Sequence, residues 1–309
     1  MSTAFLAHDV NVADRAAGPL LIPAARGRRI RNLAATAFVT LSFVVAVIPL
    51  VWIITEVVVK GAPDVFHPSW WSHSQNGVTE RREGGGAFHA ITGSVLQTAV
   101  CALIAVPLAL MVAIFLVEYG RGRLNSAVGF IVDVLTGIPS IVAALFIYAL
   151  LITTFGFQRQ GFAVSLALVL LMIPVVVRTT EEMLKLVPDD LREASLALGV
   201  PKWKTTVRIV IPTALPGIIT GVMLGIARVI GETAPLLILV GYSKTINNNL
   251  FSGFQGSLPG MILNEATNIT LKPAEGRVWG AALTLILIVL TLNVVARLIA
   301  RSTSSRAKK

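Results

Sequence analysis

Apolar residues along this chain are gathered into long runs, with the polar residues confined to the stretches between them. Several runs exceed about 18 residues with few charges, the length a helix needs to cross a bilayer core. We read six spans: Leu33–Thr55, Ile91–Val117, Val128–Ile152, Phe162–Val177, Ile209 towards Val240, and Val278–Ile299. The fourth rises only ~24 Å at 1.5 Å per residue, against a hydrocarbon core of ~30 Å. Its ends must therefore extend further, or protein neighbours must shield it. Pro212, Pro216, Gly217, Gly231 and Pro235 break up the fifth span, and Gly137-Ile138-Pro139-Ser140 interrupts the third. Broken helices are tolerated at membrane depth where they line a cavity.

Composition supports the pattern. Hydrophobic residues are 55% of the 309 and charged residues 14%, with a mean hydropathy of +0.78. A soluble domain carries nearer a quarter charged residues. A soluble enzyme, a disordered regulator and a disulfide scaffold are all excluded, and the single cysteine, Cys101, cannot form an intrachain disulfide. The net charge is +10. With an even number of spans both termini lie on one side. Eighteen lysines and arginines fall on that side, seven on the other and one, Arg228, inside a span. The excess places both termini in the cytoplasm and accounts for most of the charge, so no nucleic-acid partner is expected. The basic tails would meet anionic membrane lipid or a regulator. The expected organisation is a cytoplasmic tail over 1–32, a six-span domain over 33–300 and a basic tail over 301–309. Within the domain lie outer loops 60–90 and 242–277 and a cytoplasmic loop 178–208.

The first thirty residues have no sustained apolar region before the basic cluster, so no cleavable signal peptide is expected. In loop 60–90, Trp70-Trp71 suit a membrane interface and Gly84-Gly85-Gly86 a flexible link. His67, His73 and His89 match no metal motif and read as scattered surface residues. Glu118 lies near a span end, where solvent or headgroups suffice for it. Asp133, near the cytoplasmic end of the third span, is expected to meet the basic loop.

Loop 178–208 carries helix signals. Thr179 and Glu182 have capping-box spacing. Pro188 suits a first turn, Asp189 and Asp190 favour the positive end of the helix dipole, and Gly199 suits a left-handed stop. In the resulting helix, Pro188–Leu198, the residues Leu191, Ala194, Ser195 and Leu198 share one face. That face fits either the protein's own spans or a groove on another protein.

Here the chain resembles a known family. Glu193-Ala194-Ser195, Gly199, Ile209 and Ile211-Pro212 are similar to the cytoplasmic EAA motif of ABC importer permeases, with Ser195 for the second Ala and Ile211 for Leu. The resemblance implies that Pro188–Leu198 is a coupling helix seated on an ATPase, with Glu193, Ala194, Ser195, Gly199, Leu191 and Leu198 carrying the contact. Asp133 to Phe146 and Ala227 to Leu236 further resemble the phosphate-specific (Pst) permeases, and Glu-Thr-Ala-Pro favours the A-type subunit (PstA-like) over its sister C. The fold implied is an all-α membrane protein with six transmembrane helices and the type I ABC importer permease (MetI-like) architecture. The implied partners are a sister permease (PstC-like), an ATPase dimer (PstB-like) and an extracytoplasmic phosphate-binding protein (PstS-like). No Gly-x-x-x-x-Gly-Lys-Ser/Thr loop occurs. ATP and Mg therefore belong on the partner ATPase, this chain binds no cofactor and no metal, and it is not itself an enzyme.

Arg228 and Glu232 lie inside a span, where charges are costly and face a cavity or a partner. They sit one helical turn apart. Two readings stay open: the pair neutralises itself, or it lines the substrate pathway. In the second, Arg228 offers bidentate donors to phosphate, with Glu232 and Thr233 beside it and with Ser140 and Thr136 as lesser hydroxyl contributors. Sulfate, molybdate or tungstate permeases share the EAA loop but not the Arg-x-x-Gly-Glu-Thr stretch. An ion-coupled transporter would need no ATPase.

Overall fold

The computed structural model describes residues 26–306, with side chains over 27–300. Most of the expected tail 1–32 and the last residues of 301–309 lie outside the described residues. All regular elements among the described residues are helical. They are α1 (Arg26–Val65), α2 (Phe88–Ile114), α3 (Gly122–Gly137), α4 (Ser140–Ile147), α5 (Gly161–Lys185), α6 (Asp189–Ala197), α7 (Lys202–Thr205), α8 (Ile211–Val229), α9 (Ala234–Leu239), α10 (Leu258–Ala266) and α11 (Lys272–Arg306). Among the described residues, five helical stretches are long and apolar enough to cross a membrane, and the bent α3–α4 pair would make a sixth. Residues up to Ile54 form one unit and Thr55 onwards another. The first is the apolar start of α1, exposed along almost its whole length.

The second unit is built around α5. At 25 residues α5 rises ~37 Å, so the short fourth span gains its missing length at its C-terminal end, through Arg178–Lys185. It is also the span most buried by its neighbours. Thr179 and Glu182 consequently lie inside this helix. The expected capping box does not form, and Thr179 Oγ1 instead donates to the Val175 carbonyl at 2.9 Å.

Two stripes of small residues let α2 and α8 approach α5. On α2, Cys101, Ala105, Ala109 and Ala113 recur every four residues and are fully buried. On α8, Gly217, Gly221 and Gly225 do the same against Met183, Thr179 and Val176. Without a hydrophobic drive between helices in lipid, such close packing supplies the attraction. It also explains why Pro216 and Gly217 do not break the fifth span as expected. Pro216 is inside a continuous α8, and Gly217 serves helix contact.

Two breaks are real. Residues 122–154 bend by 106° between Gly137 and Ser140. Ile138 adopts the extended conformation that a following proline favours. The third span is thus a bent pair rather than one straight helix. The fifth span breaks after Val229 and resumes at Ala234. The outer pieces of both broken spans, α4 and α9, pack on each other and on α5.

A second apolar core lies under the outer loops, where α10 packs on α11 and α2. Trp70 belongs to it, fully buried with Nε1 donating to Thr284 Oγ1 at 2.8 Å. The expectation of an interfacial Trp70 is therefore overturned, whereas Trp71 remains exposed. Gly86 is pressed against the carbonyls of Ser69, His73 and Trp70, so this glycine marks tight packing rather than a flexible link. His89 is likewise buried, 3.0 Å from the Tyr242 hydroxyl, while His67 and His73 are exposed.

Candidate functional site

Arg228 lies in the last turn of α8, where a cation meets the negative end of the helix dipole. Glu232 lies in the break that follows. Arg228 Nη2 and Glu232 Oε1 are 3.9 Å apart, with the side chains 52% and 19% exposed. That is an ion pair but is longer than a hydrogen bond.

Three other arginines of this unit behave differently. Arg178 on α5 donates to the Gly129 carbonyl at 3.1 Å and to Glu181 at 2.6 Å, and it pairs with Asp133 on α3. Asp133 thus meets the first residue of the basic loop, as its position implied. Arg192 and Arg277 each have a full set of partners, described below. Among the described residues, Arg228 makes no hydrogen bond to the protein, and its guanidinium donors are unused.

Thr233 is the residue before α9 and lines an outward cleft of ≈ 290 Å³, together with Tyr242, Gln255, Ser257, Asn264 and Thr267. Thr136 is exposed, its hydroxyl donating to the Val132 carbonyl at 2.9 Å. Ser140 begins α4 beyond the bend. Among the described residues no hydrogen bond joins Thr136 or Ser140 to Arg228 or Glu232. Thr233 follows Glu232 in the chain, and α4, which Ser140 begins, packs on α9, which Thr233 precedes.

The platform expected to face the cytoplasm is α6 with its two connections. Pro188 precedes the helix, and Asp189 and Asp190 occupy its first turn, as expected. Gly199 has φ +77°. The Val200 amide donates to the Ser195 carbonyl at 3.2 Å and the Gly199 amide to Leu196 at 2.9 Å. These two bonds form a Schellman stop, which needs a residue at positive φ.

Leu191, Glu193, Ala194 and Leu198 are exposed, Leu198 to 83%. Ser195 is not: it is buried, with its hydroxyl 2.8 Å from Thr205 Oγ1. Its part in the expected contact face is corrected to holding α6 against α7. Leu186 and Trp203, which the helical periodicity did not single out, extend the exposed apolar surface on either side of α6. The expectation for Glu118 is also overturned. Its side chain is 5% exposed and accepts from Arg192 Nε at 3.1 Å.

At the end of the unit opposite α6, expected to face outwards, Arg277 and Glu265 form a buried pair, 2.9 Å apart and 3% and 0% exposed. Arg277 also donates to the carbonyls of Arg82 at 2.9 Å and Glu80 at 3.2 Å. Lys244 donates to Glu80 Oε1 at 2.7 Å and lies 3.4 Å from Glu265. Segment 78–84 is thereby fastened to α10 and α11. The Lys244 ammonium, through its hydrogen bond, holds the Glu80 carboxyl below its ordinary range. Burial, and then the Glu265 charge, raises the Tyr242 phenol.

Residues 105–309 match the model for the inner membrane component of binding-protein-dependent transport systems. The fold is that of ABC importer permeases. The inward-facing MetNI methionine ABC transporter superposes with a TM-score of 0.59 at 19% identity, covering 69% of this chain and 94% of that one. A bacterial ABC transporter involved in import of the acidic polysaccharide alginate gives a TM-score of 0.61 at 14% identity, covering 89% and 99%. The chain is 55% identical over 294 residues to phosphate transport system permease protein PstA 1 of Mycobacterium tuberculosis (strain CDC 1551 / Oshkosh), covering 94% of this chain and 95% of the relative. It is 37% identical to PstA of Yersinia pestis, covering 88% and 90%. The chain belongs to the PstA family of phosphate transport system permeases.

Proposed function

We propose that this chain is one of two related membrane-spanning subunits of an ATP-driven importer of inorganic phosphate in a bacterial inner membrane. The near full-length similarity to PstA permeases supports the transport class. The observation that carries the site assignment is Arg228, whose planar donors are left unused beside a break in a membrane-spanning segment. A guanidinium stays charged in a partly dry path and offers a phosphate oxygen pair two parallel N–H groups. The 3.9 Å separation from Glu232 leaves room for an anion to compete for those donors. Hydrogen phosphate has a proton to give the Glu232 carboxylate. Sulfate has none at neutral pH and meets that carboxylate with repulsion, which supplies a filter. Contacts must also stay weak enough to release the ion. Thr233 extends the path towards the outer cleft, and Ser140 and Thr136 contribute hydroxyls from the other broken span.

In this reading a sister permease completes the path. A pair of ATPase subunits holds the ATP and Mg and receives Leu191, Glu193, Ala194 and Leu198, while an extracytoplasmic binding protein delivers phosphate. Both termini lie in the cytoplasm. The test is phosphate uptake at micromolar supply in cells lacking the chain, complemented with wild type, Arg228→Ala or Arg228→Lys, each checked for membrane assembly. Uptake is expected to need ATP, to resist sulfate competition and to fall at least about tenfold in both variants. Normal uptake by assembled variants refutes the role of Arg228.

A further inference from the structure

The cytoplasmic platform contains a joint that the periodicity of its helix gives no hint of. Arg192 points away from the exposed face of α6 and reaches two other elements and the connection between α5 and α6. Its Nε donates to Glu118 at 3.1 Å, in the π-helical turn Phe115–Tyr119 that ends the second span. Its Nη2 donates to the Leu184 carbonyl at 2.9 Å, in the last turn of α5, and its Nη1 to Val187 at 2.6 Å, just beyond. The same Nη1 lies 3.0 Å from Asp189 at the start of α6. Lys202, on the far side of Gly199, donates to the main-chain carbonyl of Glu118.

Glu118 is therefore gripped twice, by its carboxylate and by its carbonyl, from the two ends of the platform. Removing Arg192 leaves the buried Glu118 carboxylate without its ion-pair partner, so α6 cannot shift alone without breaking the joint. The link to α8 differs in kind. It runs along the chain through the π-helical turn Thr206–Val210, whose Thr206 hydroxyl bonds back to Lys202 within the platform at 3.0 Å. π-helical turns recur where helices adjust at functional sites.

We propose that Arg192 is a positioning residue for coupling. It fastens the platform to the ends of α2 and α5, so that movement imposed on α6 is delivered to that helix pair and not lost in the connections either side. This rests on the ATP-driven importer reading. Beyond that reading, it names the route by which force enters the membrane.

The test uses the complete complex reconstituted in proteoliposomes, carrying wild type, Arg192→Ala or Glu118→Gln. Three quantities are read: ATPase subunits retained on purification, ATP hydrolysed, and phosphate transported per ATP. Both variants should retain the ATPase and hydrolyse ATP within about twofold of wild type, while phosphate per ATP falls at least about threefold. Arg192→Lys, which keeps charge but not the forked donors, should fall between. An unchanged ratio in assembled variants overturns the proposal. So does loss of the ATPase in both variants, since that assigns the pair to assembly alone. A wild-type complex that moves no phosphate instead refutes the transport reading, and is recognised before any variant is compared.

Discussion

Replacing Arg277 by methionine should release the outer segment 78–84. The change removes a guanidinium that neutralises a fully buried Glu265 and donates to the carbonyls of Arg82 and Glu80. Breaking a buried ion pair from one side costs about 3–5 kcal/mol. Lys244, 3.4 Å from Glu265, compensates part of that, so the lower end, ~3 kcal/mol, is the better expectation. If the whole cost falls on local closure of the segment, its open population rises by about 10² at 1.4 kcal/mol per decade. Arg81 and Arg82 are exposed within that segment and form a ready tryptic site. Cleavage of the detergent-purified complex at Arg81–Arg82 should therefore accelerate about a hundredfold at low protease, where the rate follows the open population. The double variant Arg277→Met, Glu265→Met also removes the stranded charge but does not restore the donors to Arg82 and Glu80, so it should recover part of the loss. A change of less than about threefold in the single variant, or no recovery in the double, would refute the latch.

Other outcomes follow from local geometry. Gly221→Ala places a Cβ 2.7 Å from the branched Thr179 Cβ, whereas Gly217→Ala meets the flexible Met183. The first should cost about 1–3 kcal/mol and the second less, since the Met183 side chain can turn aside, read as thermal unfolding of the two complexes side by side. Gly199→Ala forces a side chain to φ +77°, at about 1–2 kcal/mol. It should fray the end of α6 and weaken retention of the ATPase severalfold, without altering the amount of chain in the membrane. The Glu80 carboxyl is held down by Lys244, so its contribution is present above the ordinary carboxylate range and is lost as pH falls through its lowered value. Amide exchange over 78–84, corrected for intrinsic rate, should rise below about pH 4.5 and stay level above it.

What the sequence made legible was local. Span pattern, the Gly137–Pro139 bend, the left-handed stop at Gly199 and the motif around Glu193 all depend on residues close in the chain. The failures are long-range. Glu118 and Arg192 are 74 positions apart, so nothing near Glu118 marks it as buried. Trp70 reads as interfacial from its neighbour and its place at a span end, yet a hydrogen bond to Thr284 draws it into the core. Pro216 reads as a breaker, but a proline inside a packed membrane helix is accommodated by its neighbours. Ser195 shares the helical face of Leu191 only by angle, and the hydroxyl of Thr205 decides which way it is used. Arg228 and Glu232 were recognisable from charge at membrane depth alone. Their hydrogen-bonding state depends on the fold around them.

The small-residue stripe of α2 has a practical side. Its first member, Cys101, is the chain's one thiol, closed off between α2 and α5 with its sulfur 3.7 Å from that of Met172. A thiol with no exposed surface reacts slowly with maleimides or spin labels. The natural sequence therefore serves as its own blank. A reporter cysteine at Leu198 or Thr233 would give a signal from one position only, and the platform and the outer cleft can be followed through turnover without first rebuilding the core.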